Sequence, residues 1–236
     1  GDGEAPWDFA PPPLPPGRAG GKGPFKAELM PKARGFDYFF GTPMHNGYTK
    51  EVDHQRFIVE LMRNDEVVQS PADMDLLTRT YTEETIEFIR AHEDGPFFIY
   101  LAHTMPHTPL GASEAFRGKS ARGLYGDAIE ELDWSVGRIL AELKLLDLDK
   151  NTLVIFASDN GPEVRKELGK HIGNAKPLKG GKYSNWEGGV RVPAIMRWPD
   201  RIPKEVVSRE IVSIMDLYPT LTHLGNGELP RDLKID

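Results

Sequence analysis

The sequence predicts an α/β fold in which a mostly parallel central sheet is flanked by helices. Helical and apolar segments alternate along the chain: a helix over 82–92, a strand over 96–102, a helix over 127–146 and a strand over 152–157. Short apolar segments without polar alternation are typical of strands buried on both faces, as in parallel sheets. Their alternation with amphipathic helices indicates an α/β domain.

The two helices are predicted from charge and periodicity. The first has Glu83, Glu84 and Glu87 near its beginning, where the helix dipole favours negative charge. The second repeats apolar residues at intervals of three and four from Ile129 to Leu146, which gives it one continuous apolar face.

Two further elements are predicted near the end of the chain. The segment 192–198 (VPAIMRW) is a third strand candidate, and 211–224 has a helical pattern that Pro219 should kink or restart. The segment 1–32 differs from the rest, because it is rich in proline and glycine and has no apolar period. It predicts a disordered or polyproline tail, with an SH3-type ligand as the alternative, followed by one partial domain over 33–236.

Composition excludes several classes of function. A net charge of −7 and an isoelectric point of about 5.6 argue against nucleic acid as a partner. The sequence has no cysteine, which excludes disulfides, thiolate metal sites and cysteine-derived cofactors within it. We expect no membrane partner and no signal peptide, since no apolar segment is long enough to span a bilayer.

Polar residues that could carry chemistry follow two of the predicted strands. His103 and His107 come after 96–102 and could serve as a general acid, an anion binder or metal ligands, or as surface histidines of a proline-braced loop. Asp159 and Asn160 come after 152–157 and offer hard oxygen ligands for Ca²⁺ or Mg²⁺. The Asp-Asn-Gly-Pro tetrapeptide by itself favours a simple turn over a metal site.

A glycine-rich segment with basic residues lies further along the chain. The residues 179–189 read KGGKYSNWEGG, in which Lys182 could bind an oxyanion and Trp186 could line a pocket beside it. The spacing is not that of a P-loop. The alternative is a flexible basic loop. Glu187 could support the site by contacting the residues that bind the ligand, or it could pair with Arg191.

Several blocks, taken in order, resemble the sulfatase family, whose arylsulfatase and N-acetylgalactosamine-6-sulfatase members have the alkaline-phosphatase-like fold. The block over 181–193 is similar to a G-K-x-x-x-x-E-G-G-x-R-x-P motif, which is highly specific. The other matching blocks are 34–41 (RGFDYFFG), 96–110, 125–127 (YGD), 159–161 (DNG) and 216–220 (DLYPT).

The resemblance implies a hydrolase of aryl or carbohydrate sulfate esters that uses Ca²⁺ and a formylglycine nucleophile. It implies that Asp159 and Asn160 are calcium ligands. It implies that His107 contacts the substrate and protonates the leaving oxygen, and that Lys182 binds the sulfate, so both would be catalytic. A sulfated small molecule or carbohydrate would be the partner, in a periplasmic, secreted or lysosomal setting.

The chain also departs from the family pattern. The family makes its formylglycine from a C/S-x-P-x-R motif, and neither this motif nor the paired aspartates nor the G-K-W-H-L-G motif occurs here. We therefore expect the chain to be incomplete at both ends, to bind calcium weakly, to expose a sheet edge and to be inactive by itself. The alternatives are a phosphodiester or phosphonate hydrolase of the same superfold, or a non-catalytic pseudoenzyme that binds sulfated ligands.

Overall fold

The computed structural model describes residues 27–44, 46, 51–52, 55–56, 59–164 and 173–232. The tail predicted over 1–32 lies outside these residues up to position 26, and remains a prediction there. The chain divides into two compact units. The first comprises 1–149 and 165–173, and the second comprises 150–164 and 174–236.

Short antiparallel strands follow two 3₁₀ turns, Ala27–Leu29 and Pro31–Arg34, in the first unit. They are β1 (Phe40–Gly41), β2 (Glu51–Val52), β3 (Gln55–Arg56), β4 (Leu61–Arg63) and β5 (Glu66–Gln69). β4 lies between β1 and β5, and β2 pairs with β3. The β4–β5 connection is a two-residue turn, Asn64–Asp65, in which Asn64 has a left-handed φ of 54° that asparagine tolerates well.

Two long helices complete the first unit: α1 (Leu77–Ala91) and α2 (Gly123–Leu145). Both predicted helices are present, and each begins four or five residues earlier than its charge and apolar patterns indicated. α1 begins early because Leu77 and Tyr81 pack into a core that lies under β4. Buried residues of this core are Val59, Leu61, Ala72, Leu77 and Tyr81.

Polar contacts also join α1 to α2. Arg90 donates two hydrogen bonds to the buried carboxylate of Glu142, at 2.7 and 3.0 Å. About two turns earlier in both helices, Thr82 and Ser135 are joined by a hydroxyl–hydroxyl bond of 2.6 Å, and both are fully buried. A planar guanidinium on a carboxylate restricts how the helices can rotate, because both its bonds depend on one orientation.

The connection before α2 is fixed by a buried carboxylate on that helix. Asp127 accepts hydrogen bonds from the backbone N–H groups of Gly118 (2.8 Å), Lys119 (3.1 Å) and Ser120 (2.8 Å). Burial by itself would raise the pKa of Asp127, but these bonds and nearby Arg117 stabilise the charged form, so the net pKa lies below its usual value.

A second carboxylate of α2 holds the same connection one turn later. Glu131 is fully buried and accepts a hydrogen bond of 2.9 Å from the backbone N–H of Ser113. Burial raises the pKa of Glu131, and the Ser113 bond only partly offsets this. The two carboxylates together tie 113–120 to the first turns of α2.

The prediction of a buried strand over 96–102 is wrong. Residues 96–102 form neither helix nor strand, and they pair with no strand among the described residues. It is also not buried on both faces: Leu101 packs against the core, whereas Phe98 and Tyr100 are 59% and 72% exposed. A strand needs a neighbour to form a ladder, and the described part of the chain places none beside this segment.

The second unit contains β6 (Val154–Ala157), α3 (Glu187–Val190), β7 (Ala194–Arg197) and α4 (Leu217–Leu224). β6 and β7 form an antiparallel pair, with Val154 opposite Arg197. A 3₁₀ turn over Ile214–Asp216 precedes α4. A capping box between Ser213 and Asp216 stabilises the N-terminus of this 3₁₀ turn. Helical structure therefore covers only the later part of the predicted segment 211–224, and Pro219 neither kinks nor restarts it, since it lies in the first turn of α4, where proline is tolerated.

The described residues thus form a mixed α/β structure, as predicted. All strand pairs among them are antiparallel, in contrast to the mostly parallel sheet expected from the apolar segments. None of the helices in this part of the chain combines the length and the apolar character needed to cross a membrane.

Replacing Asp127 by asparagine tests the role of the buried carboxylate. The variant keeps the shape of the side chain but loses the charge that three N–H groups share. We expect Asp127→Asn to lower the free energy of unfolding in urea by about 2 kcal/mol. Asp133→Asn, an exposed change on the same helix, should leave it unchanged within about 0.5 kcal/mol. Equal changes in unfolding free energy for the two substitutions would show that the buried charge of Asp127 does not stabilise the fold.

Candidate active site

The first predicted site residue, His103, is held inside the first unit. Its Nε2 lies 3.2 Å from Ser135 Oγ, Ser135 is bonded to Thr82, and Thr82 Oγ1 lies 2.7 Å from the carbonyl of Thr78. A carbonyl can only accept, and each hydroxyl has one hydrogen to donate. These three contacts are all hydrogen bonds when His103 donates from Nε2 to Ser135, Ser135 donates to Thr82 and Thr82 donates to Thr78, while the buried Nδ1 of His103 has no partner among the described residues.

This environment gives His103 a packing role. Burial lowers the pKa of His103 to about 4, so the ring is neutral near pH 7. Its ring also packs against that of Tyr81, with centroids 6.2 Å apart. His103 is thus not the surface histidine that the sequence offered as the alternative to a chemical role; it is a structural histidine that anchors the start of the loop over 103–110.

The other histidine of the loop, His107, is half-buried and differently held. Its Nδ1 lies 2.7 Å from the carbonyl oxygen of Thr108, which can only accept, so Nδ1 carries the hydrogen. The loop backbone turns tightly here, with the N–H of His107 donating to the carbonyl of Thr104 at 3.2 Å. The ring is thereby fixed as the Nδ1–H tautomer, and Nε2 is the nitrogen that would exchange a proton with a ligand.

The second unit brings together the two other predicted segments. The backbone N–H of Lys182 donates to the carbonyl of Pro162 at 2.8 Å, and the N–H of Gly161 donates to the carbonyl of Gly189 at 2.8 Å. These bonds join the loop after β6 to the glycine-rich loop over 179–189. Lys182 and the Asp159–Asn160 pair therefore belong to one local structure.

Glycines make this close approach possible. A Cβ atom added at Gly161 would lie 1.9 Å from the carbonyl oxygen of Gly188, and one added at Gly189 would lie 2.1 Å from that of Ser184. No side chain fits at such distances, so the two loops can approach each other this closely only where both have glycine. The Ser184 hydroxyl closes the loop from within by donating to the carbonyl of Gly181 at 2.8 Å.

The glycine-rich loop presents cations beside aromatic rings. The Lys179 ammonium lies 3.5 Å from the ring centroid of Trp186, and that of Lys182 lies 5.4 Å from the ring of Tyr183. Glu187 pairs with Arg191 at 3.3 Å, which is one of the two roles that the sequence allows for it. The glutamate is thus engaged with an arginine, and the lysines supply the positive charge that an anion would meet.

Asp159 and Asn160 form a compact turn. The backbone N–H of Asn160 donates to Asp159 Oδ1 at 2.9 Å, and Asn160 Nδ2 donates to the carbonyl of Gly161 at 3.1 Å. Because the amide nitrogen is used within the turn, the Oδ1 atom of Asn160 is the one available to a cation. A carboxylate and an amide oxygen are suitable donors for calcium, which takes roughly six to eight oxygen ligands.

The donor chemistry therefore fits calcium, although the two side chains supply only part of a coordination shell. In the part of the chain that the structure describes, no cluster of three or more His, Cys, Asp or Glu side chains could hold a metal ion. The turn and the half-site, which were alternatives in the sequence, are compatible in this geometry.

Two features of the site were missed from the sequence. One is Ser184, whose hydroxyl organises the lysine loop, and the other is Asn46, which binds the His107 loop. The G-K-x-x-x-x-E-G-G pattern predicted the loop that contains Ser184, but it did not predict the hydrogen bond from Ser184 to the carbonyl of Gly181. Asn46 lies far from the loop in sequence, and no local pattern could have assigned it.

The chain is similar to known sulfatases in both sequence and structure. Steryl-sulfatase of Homo sapiens is 45% identical over 179 residues, covering 75% of this chain and 31% of that protein. Arylsulfatase H of Canis lupus familiaris is 38% identical over 216 residues, covering 90% of this chain and 38% of that protein. The chain thus spans well under half the length of these relatives.

The solved structure of Ps i-CgsB in complex with k-i-k-neocarrahexaose superposes with a TM-score of 0.75 at 30% identity, covering 90% of this chain and 50% of that one. This likeness places the described residues in the alkaline-phosphatase-like α/β fold. A family model for sulfatases matches residues 20–227. The chain belongs to the sulfatase family.

His103 should make stability depend on pH. The unfolded chain binds a proton at His103 near the usual pKa of about 6.5, whereas the folded chain does so only near 4. The unfolded state therefore binds more protons between these values, and stability is lost as pH falls from 6.5 towards 4, by about 3 kcal/mol in total. Denaturant titrations of wild type and His103→Gln should differ by this slope, whereas the exposed His223→Gln should follow wild type.

The glycine contact between the loops gives a second prediction. Gly161→Ala should separate the loops, because its methyl group would overlap the Gly188 carbonyl. The amide of Lys182 should then lose its protection against hydrogen exchange, measured by NMR. Gly137→Ala is the matched control, since a Cβ there meets nothing within 4 Å and helix α2 should gain about 0.5–1 kcal/mol. Retained protection of Lys182 in Gly161→Ala would show that the contact is not needed.

Proposed function

We propose that this chain is the part of a sulfate-ester hydrolase that binds the sulfate group and protonates the leaving oxygen. The observation that carries this proposal is the backbone link between the Lys182 loop and the Asp159–Asn160 turn. It supports a single site in which an ammonium and two hard oxygen donors act on the same anion.

Each residue has a role that follows from its chemistry. Lys182 supplies a positive charge on a loop held by its own backbone, so it can stabilise the charge that develops on the sulfate oxygens. Asp159 and Asn160 would hold one side of a calcium ion, which when bound would polarise the sulfate. His107, once protonated to the imidazolium, would donate its Nε2 proton to the ester oxygen as the bond to sulfur breaks, and would be left as the neutral Nδ1–H tautomer.

The nucleophile of this reaction is not encoded in the 236 residues, which contain no C/S-x-P-x-R motif. We therefore propose that the chain by itself binds sulfate esters without hydrolysing them, and that calcium binds weakly to the two side-chain ligands. The expected partner is a sulfated small molecule or carbohydrate. The family resemblance implies a periplasmic, secreted or lysosomal setting.

Calorimetric titration with the aryl sulfate 4-nitrocatechol sulfate tests the proposal. We expect Lys182→Ala to weaken binding about tenfold, because a charge-assisted hydrogen bond is lost. The exposed Lys204→Ala, which removes the same charge from the same unit, should bind as wild type. Added calcium should strengthen binding in wild type but less so in Asp159→Asn.

The same experiment separates the competing functions. Preference for bis(4-nitrophenyl) phosphate over the sulfate would favour the phosphodiesterase alternative. Hydrolysis of the aryl sulfate by the purified chain would overturn the proposed absence of a nucleophile. Equal binding affinities of Lys182→Ala and Lys204→Ala would show that Lys182 does not form an anion site.

A further inference from the structure

We propose that Asn46 is a positioning residue that fixes the catalytic tautomer of His107. Asn46 is completely buried, and its Nδ2 donates to the carbonyl of His107 at 2.8 Å and to the carbonyl of Pro109 at 3.0 Å. The proposal rests on the role suggested above for His107, and it concerns how that ring is held.

The two contacts of Asn46 lie on either side of the carbonyl that holds the ring. His107 Nδ1 donates to the carbonyl of Thr108, which is the residue between the two that Asn46 binds. Fixing the carbonyls of His107 and Pro109 fixes the peptide planes around Thr108. The Thr108 oxygen is thereby kept in place as the acceptor for Nδ1–H, and the neutral ring is kept in the Nδ1–H tautomer.

Few side chains could replace asparagine here. A primary amide carries two hydrogens on one nitrogen, so it can donate to two carbonyls at once, whereas serine has one hydrogen and aspartate has none. Glutamine has the same group, but its additional methylene would have to fit into a fully buried position. The chemistry of the contact therefore specifies both the amide and its length.

The buried oxygen of Asn46 supports this interpretation. In the described part of the chain, Asn46 Oδ1 is buried and has no hydrogen-bond partner. Burying an unpaired acceptor is unfavourable, and an apolar residue of similar size would avoid that cost. The two donated bonds are therefore what this side chain contributes, and both of them end on the His107 loop.

The beginning of the loop is held by other residues. His103 is bonded to Ser135 of α2, and the hydroxyl of Thr104 lies 3.3 Å from that of Tyr81 in α1. These contacts precede His107 and do not involve the carbonyls that Asn46 binds. Loss of Asn46 should therefore change the His107 ring while leaving the His103 ring as it is.

The isosteric variant Asn46→Asp removes both donors without changing the size of the side chain. Its matched control is Asn64→Asp, the same chemical change at a site where the side-chain oxygen accepts a bond from Phe39 N–H and is retained. Long-range ¹H–¹⁵N spectra of the chain at about pH 8, where an ordinary imidazole is neutral, report the tautomer of each histidine. The binding of 4-nitrocatechol sulfate is measured in parallel.

We expect wild type and Asn64→Asp to show His107 as the Nδ1–H tautomer, and Asn46→Asp to lose that signature while His103 is unchanged. Binding of the probe should weaken about tenfold in Asn46→Asp only, as for the loss of one to two hydrogen bonds. An unchanged His107 spectrum in Asn46→Asp, or equal changes in both histidines, would overturn the proposal.

A measurement on wild type alone covers the case in which Asn46→Asp does not fold. The side-chain NH₂ protons of Asn46 should exchange slowly with solvent and show nuclear Overhauser contacts to His107 and Pro109. Rapid exchange would contradict the two hydrogen bonds directly. If wild type fails to bind the probe but the tautomer responds to Asn46, the proposed function fails and the positioning role stands.

Discussion

The packing of α1 against α2 is the interaction on which the first unit depends. The helices are joined by the Arg90–Glu142 ion pair near their C-termini and by the Thr82–Ser135 hydroxyl pair about two turns earlier. The residues that form this contact also reach the loop before α2. Ser135 binds His103, so the start of the histidine loop is set by the same interface that joins the helices.

Carboxylates of α2 extend this control along the chain. Asp127 and Glu131 accept backbone hydrogen bonds from the connection that follows the histidine loop. Because both side chains are buried, their bonds are shielded from water and are costly to lose. The loop with His107 is therefore bounded by fixed points on both sides, and Asn46 acts on the part between them.

The second unit depends on a different constraint, which is that three positions where its loops meet must be glycine. Gly161, Gly188 and Gly189 allow two loops to approach to backbone distance, and the resulting hydrogen bonds hold Lys182 next to the Asp159–Asn160 turn. In the described residues of this unit no large apolar side chain is buried, since all of those belong to the first unit. Glycine contacts and backbone bonds thus take the place of a hydrophobic core around the lysine loop.

Much of this could be predicted from the sequence, because helices and local motifs have local signals. The apolar period predicted α2, and the specific glycine block predicted the Lys182 loop. The β4–β5 hairpin was missed, since Asn64–Asp65 is a weaker turn signal than Asn-Gly and its strands are only three and four residues long. Asn46 and Ser135 could not be predicted, because each acts on a residue distant in sequence.

The half-exposed segment at 97–101 has a consequence for the order in which the structure assembles. The β4–β5 turn closes over two residues and α1 packs on neighbouring strands, so these contacts are local and form quickly. The inner side of the segment, with Leu101, can join this core early, while Phe98 and Tyr100 stay outside it. During synthesis the newly made chain would therefore display an aromatic segment that is not paired in a sheet, which is the kind of surface that chaperones recognise.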